Sequence, residues 1–135
     1  MDFLTALDVS ASGLSAERTR VNIASSNLAN AESTRGPDGQ VYRRRDPVLE
    51  ATPFEGELGA LGVKVSKVVE DQSPGRKVYS PGHPDSDAQG FVTFPNVNPI
   101  HEVVNLMSAS KGFEANAAAI DTLKTMAQRA LDIAR

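Results

Sequence analysis

The chain has 135 residues, one domain's worth, and its 14 Lys and Arg against 17 Asp and Glu leave a formal charge of −3. A weakly acidic chain excludes general electrostatic binding of nucleic acid or anionic lipid. With no Cys, no Trp and 5% aromatic residues, disulfides, thiolate metal sites, cysteine nucleophiles and aromatic ligand or base-stacking platforms are excluded or unexpected.

Residues 1–31 hold six Ala and residues 100–135 hold eight, with no Pro in either stretch. The middle, 32–99, holds all 8 Pro, 8 of the 10 Gly and only three Ala. Proline disfavours a helix interior by about 3 kcal/mol relative to Ala, so the ends can be long helices and the middle cannot. The composition divides the chain into an N-terminal helix (1–31), a β and loop region (32–99) and a C-terminal helix (100–135). No apolar run approaches the roughly 20 residues of a membrane span. Met1–Ser12 lacks the basic start and long apolar core of a cleaved signal peptide.

In chain order, the first element is a helix from about Phe3 to Asn30, with Asp2 as its expected N-cap. Leu4, Leu7, Ala11, Leu14, Arg18, Val21, Ser25 and Leu28 follow a 3,4 spacing, a heptad seam with two polar insertions. Residues 1–31 carry only five charges, Asp2, Asp8, Glu17, Arg18 and Arg20. The remaining positions are Ser, Thr, Asn and Ala, where a solvated helix normally carries Lys and Glu. Ser12, Gly13, Ala16, Asn27 and Asn30 are therefore read as an outer face crowded by neighbouring subunits.

The middle is expected to be extended at Val41–Arg45 and Val48–Ala51, interrupted by Asp46-Pro47. The β-branched run Gly62–Glu70 is expected as a strand that pairs with Lys77–Tyr79 across the turn at Gln72–Gly75. Ser80–Gln89 reads as loop and Phe91–Phe94 as a short extended piece. Asn98-Pro99 places a capping amide before a proline at the first helical position.

The C-terminal seam is Val103, Leu106, Ser110, Phe113, Ala117, Ile120, Lys124, Ala127, Leu131 and Ala134, widened by Leu123 and Ala130. A helix over 99–135 is about 55 Å long, whereas a compact globule of this length is roughly 37 Å across. The expected fold is therefore mainly α: two long terminal helices in an antiparallel coiled-coil pair, with a small β-hairpin and loop region between them. Leu7, Leu14, Val21 and Leu28 are expected to face Leu106, Phe113, Ile120 and Ala127. Gly13 and Gly112 fall one residue before a seam position, on the expected outer side.

The stretch His83-Pro84-Asp85-Ser86-Asp87 offers one imidazole and two carboxylates, but without a metal-loop spacing. Asx turns are the plainer reading of Asp85 and Asp87. Arg43-Arg44-Arg45 alternate faces if extended, with Asp46 and Glu50 close by, which points to structural ion pairs. Gly56, Gly59 and Gly62 precede a strand rather than a helix and do not form a phosphate loop. No catalytic, metal or cofactor residues are assigned.

Ser12-Gly13-Leu14-Ser15-Ala16-Glu17-Arg18, followed by residues 22–31 (Asn-Ile-Ala-Ser-Ser-Asn-Leu-Ala-Asn-Ala), resembles the N-terminal signature of flagellar rod and hook proteins. Tyr42–Arg45, Ser80–Val92, Pro95–Pro99 and Phe113–Asn116 also resemble the proximal-rod members of that family. The resemblance covers nearly the whole chain, and the short middle is unlike relatives with larger inserts. It implies a structural subunit of the bacterial flagellar basal body, exported by the flagellar type III apparatus without a cleaved signal. It further implies terminal helices that stack into a tube around the export channel. The implied partners are other rod proteins, further copies of itself, the rod-to-ring adaptor and the surrounding ring, with no nucleic acid or small-molecule substrate. Two other readings stand beside it. A monomeric helical adaptor or chaperone-like module predicts a charged outer face on both helices. A small enzyme would use His83, Asp85 and Asp87.

Overall fold

The computed structural model describes residues 3–54 and 59–133. The expected cap Asp2, Gly56 and the last seam position Ala134 lie outside the described residues. Helix α1 spans Phe3–Ala29 and helix α2 spans Pro99–Ile133, about 40 and 52 Å long at 1.5 Å per residue. Between them lie strands β1 (Arg45–Pro53), β2 (Leu61–Glu70), β3 (Arg76–Tyr79) and β4 (Phe91–Phe94).

Both helices start and stop where local chemistry requires. Past the end of α1, Asn30 N–H donates to the Ser26 carbonyl (3.1 Å) and Ser33 N–H to the Asn30 carbonyl (3.1 Å). Those bonds satisfy part of the end of the helix before the turn residues that follow. Helix α2 opens as expected. The Asn98 side-chain oxygen accepts from the N–H groups of Ile100 (3.0 Å) and His101 (3.4 Å), and Pro99 occupies the first helical position. Hydroxyls inside the helices fold back on the preceding turn, as Ser10 does to the Ala6 carbonyl and Thr122 to that of Ala118.

The helices run antiparallel in one continuous register. Asn27 meets Glu102, and a Cβ placed on Gly112 would meet the Glu17 side chain. At the far end, a Cβ on Gly13 would meet Asn116.

The strand pairing differs from the expectation. β2 pairs antiparallel with β1, from Arg45 opposite Glu70 to Pro53 opposite Leu61, with an irregularity at Val48/Leu49. The strand runs through Pro47 instead of breaking there, because a two-stranded ribbon is all edge and tolerates a missing donor. Its first residue is Arg45, so Val41–Arg44 is connecting chain. β3 pairs not with β2 but with β4, Arg76 opposite Phe94 through Tyr79 opposite Phe91. The reason lies in Asn96, whose side-chain amide donates to the carbonyls of Asp71 (3.1 Å) and Ser73 (3.0 Å). It thereby holds the turn against the segment before α2 and delivers β3 to β4.

Gly75 is required at that junction: a Cβ there would stand 2.3 Å from the Phe94 backbone oxygen. Val92 is fully buried beneath this second ribbon, and Tyr79 and Phe91 meet edge to face at 5.3 Å.

The interior has an unusual composition. The buried apolar residues are Ala16, Ala24, Ala31, Ala60, Val92 and Ala109. The largest fully buried side chains are Glu102, Val92 and Asn27. The chain exposes 9153 Å², roughly a third more than a compact monomer of this mass, for which the scaling relation gives about 6,800 Å².

Candidate assembly interface

The inner stripe of the helix pair is made of small residues. Gly13, Ala16 and Ala24 of α1, with Ala31 just beyond it, line one side, and Ala109, Gly112 and Asn116 of α2 line the other. Small side chains let the two backbones approach closely.

At one end the stripe closes on a buried polar clasp. The Asn27 amide donates to the Arg45 carbonyl (2.8 Å) and to Glu102 Oε2 (3.0 Å). Its oxygen accepts from Tyr42 OH (2.9 Å) and from the Arg45 N–H (3.0 Å). All four hydrogen-bonding positions of this side chain are thus filled. Arg44 Nε donates to Glu102 Oε1 (2.6 Å) and its Nη1 contacts Asp46, while Arg44 N–H donates to Asn96 Oδ1 (2.8 Å). Burial by itself lowers the Arg44 pKa. The hydrogen bonds and charges of Glu102 and Asp46 outweigh it and hold the guanidinium above its ordinary value. The arginine run therefore forms ion pairs: Arg44 with Glu102 and Asp46, Arg45 with Glu70 (3.4 Å).

Two of the five residues expected on the outer face lie inside the chain instead. Ala16 and Asn27 are buried inside the chain, and Gly13 packs on Asn116. The Ser12 hydroxyl accepts from the Val63 N–H of β2 (3.1 Å). The Asn30 amide binds the Ser26 carbonyl at the helix end (2.8 Å). Ala16 and Asn27 are thus crowded by their own chain, while Ser12, Gly13 and Asn30 are half-buried.

Conversely, the expected seam is not the inner stripe. Leu4, Ala11, Val103, Phe113 and Leu131 are exposed. Leu7, Leu14, Val21, Leu28, Leu106, Ala117, Ile120 and Leu123 are half-buried beside the stripe. A shift of about one residue, roughly 100° around a helix, separates the two patterns. The two helical glycines carry the available signal: at 13 and 112, one residue off the apolar seam, they leave room for the Asn116 and Glu17 side chains of the facing helix.

Two consequences are measurable. A side chain at Gly13 must displace the Asn116 amide, 2.8 Å from its Cβ. Gly13→Glu is thus expected to destabilise the isolated chain by about 1–3 kcal/mol through overpacking. An unchanged urea-unfolding midpoint would contradict this. Phe113, being 38% exposed, should lose well under the 3–5 kcal/mol typical of a fully buried Phe→Ala change, by the same measurement.

Outside the stripe the apolar surface is extensive. Ile100 (74% exposed), Val103, Val104 and Met107 crowd the first turns of α2. Met126, Leu131 and Ile133 stand out near its end. The two expected seams meet on one flank of the pair, where Arg18 and Val21 of α1 and Ser110, Phe113 and Glu114 of α2 line a groove of about 270 Å³.

The residues of the suspected metal loop have structural partners. Asp85 accepts from the Thr34 hydroxyl (2.8 Å) and pairs with Arg35 (2.7 Å). Asp87 makes the expected turn, accepting from the Gln89 and Phe91 N–H groups (2.9 Å each). Among the described residues no group of three or more His, Asp or Glu is placed to hold a metal. No described helix is long and apolar enough to cross a membrane.

Two long antiparallel helices, a small β middle and an apolar exterior are the build of a structural, assembly-forming subunit. Residues 7–37 match the family described as flagella basal body rod protein, and residues 88–133 match the C-terminal region of flagellar basal body rod FlgEFG proteins. The chain is 44% identical over 133 residues to the flagellar basal-body rod protein FlgC of Salmonella typhimurium, covering 98% of each chain. It is 40% identical to FlgC of Bacillus subtilis over 144 residues (96% of each), and 36% identical to FlgC of Borreliella burgdorferi over 150 residues (98% of each). The chain belongs to the FlgC family of flagellar basal-body rod proteins, and it is a structural subunit of the rod.

Proposed function

We propose that this chain builds the proximal part of the rod by seating its exposed apolar helix surface against neighbouring subunits around the export channel. The observation that carries the reading is the inversion of its faces. Alanine, glycine and a polar clasp lie inside, while Ile100, Val104, Met107, Leu131 and Ile133 lie outside. Exposed apolar patches of this kind mark interaction sites, and the excess exposed area is of the order that large assemblies bury.

Its partners in this reading are other rod proteins, further copies of itself, the rod-to-ring adaptor and the ring around the rod. The type III apparatus delivers it without removal of a signal segment. A monomeric adaptor would solvate these positions with Lys and Glu, and α2 does not.

Tagging the exposed 80–90 loop in a strain with no other copy distinguishes the two readings. The tag is expected in isolated basal bodies. Recovery of the chain only as free monomer, with rods complete, would favour the adaptor.

A further inference from the structure

We infer that the Asn27–Glu102–Arg44 clasp selects the register in which α1 packs on α2. The rest of the inner stripe specifies register weakly. Its fully buried members are alanines, and Gly13 and Gly112 each face the end of a flexible polar side chain of the other helix, Asn116 and Glu17. A slip of one turn, about 5.4 Å, brings no large side chain into these positions: Gly13 comes opposite Gly112 and Ala16 opposite Ala109.

The clasp does not survive that slip. Asn27 and Glu102 are each 1% exposed, and both Glu102 oxygens are engaged, one by Arg44 (2.6 Å) and one by Asn27 (3.0 Å). Moving α2 by a turn takes the buried Glu102 carboxylate away from Arg44 and Asn27 and leaves one donor of the buried Asn27 amide without its acceptor. A single buried polar contact can fix the register of a helix pair in this way. Arg45, held at both its N–H and its carbonyl by Asn27, ties the first residue of β1 to the same point. The clasp thus also fixes where the β1–β2 ribbon sits on α1. Asn27, Glu102 and Arg44 act here as positioning residues.

The test uses the full chain, which has no native Cys. Gly13→Cys combined with Asn116→Cys reports the observed register. Gly13→Cys with Gly112→Cys, or with Ile120→Cys, reports a slip of one turn either way. Each pair is oxidised with the clasp intact and with Asn27→Leu/Glu102→Leu, and the intrachain disulfide is read by mobility on a non-reducing gel. Helicity is followed by circular dichroism.

With the clasp intact, the 13–116 disulfide should exceed either slipped one by about tenfold or more, the preference set by a hydrogen bond to a charged group. With the clasp replaced, the three disulfides should form in comparable amounts while helicity is kept. A replaced clasp that still yields only 13–116 would show that shape sets the register and overturn the inference. Loss of helicity and of every disulfide would make the clasp a stabiliser instead of a register device, and would also overturn it. So would an intact clasp that spreads over all three pairs. Because the cross-links lie within one chain, these outcomes are independent of whether the outer surface assembles as proposed.

Discussion

Glu102→Ala is expected to lower the unfolding free energy of the chain by about 3 kcal/mol or more, because removing one partner of a buried pair strands the other. The stranded groups are the Arg44 guanidinium, which keeps only Asp46, and one donor of the buried Asn27 amide. Glu102→Gln should also be costly, though it keeps the shape. A carboxylate offers an acceptor to each of two donors, while the amide offers one acceptor and turns a donor toward the other. Losing a hydrogen bond to a charged group amounts to about 1.5–3 kcal/mol. Urea titration of both variants checks the order, Ala worse than Gln and both worse than wild type. Equal stability of all three would mean that the clasp contributes nothing.

Met107→Glu is expected to do the opposite: to leave the isolated chain nearly unchanged and stop rod growth. Met107 is 58% exposed in the chain, and Glu is as good a helix former as Met, so the fold loses little. In an assembly that covers this turn of α2, each copy would bury an unpaired carboxylate at several kcal/mol, repeated around the rod. The expected readout is a chain with an unaltered unfolding curve, exported at normal levels, in cells that do not swim. Full motility would place Met107 outside any subunit contact.

Much of this architecture is legible in the sequence, and the exceptions share a cause. The Asn98-Pro99 cap, the proline-free helices and the β-branched run from Gly62 to Glu70 act locally, so composition and spacing reveal them. The pairing of β3 with β4 depends on Asn96 reaching back to the Asp71–Ser73 turn, a long-range contact that no local pattern announces.

The inner stripe is not legible in the heptad pattern, because heptad reading places the largest apolar residues inside. That rule holds for a chain that folds alone. Here Phe113, Val103 and Leu131 are exposed, and the chain's own contact is made by Gly13, Ala16, Asn27, Ala109 and Gly112, which a hydrophobicity pattern scores as surface. The functional class was nonetheless readable, because the signature motifs extend across both helices and the loops around β3 and β4.

Thiol accessibility before and after assembly measures the central claim most directly. Val104→Cys and Met107→Cys add a single thiol each to a chain without Cys, at positions 59% and 58% exposed. Gln89→Cys, in the exposed loop before β4, gauges reagent access in the free chain. The account predicts that all three react readily with a maleimide in the free chain, and that the thiols at 104 and 107 become protected in isolated rods. Undiminished labelling at both 104 and 107 in intact rods would contradict it, because the apolar surface of α2 would then face solvent in the assembly.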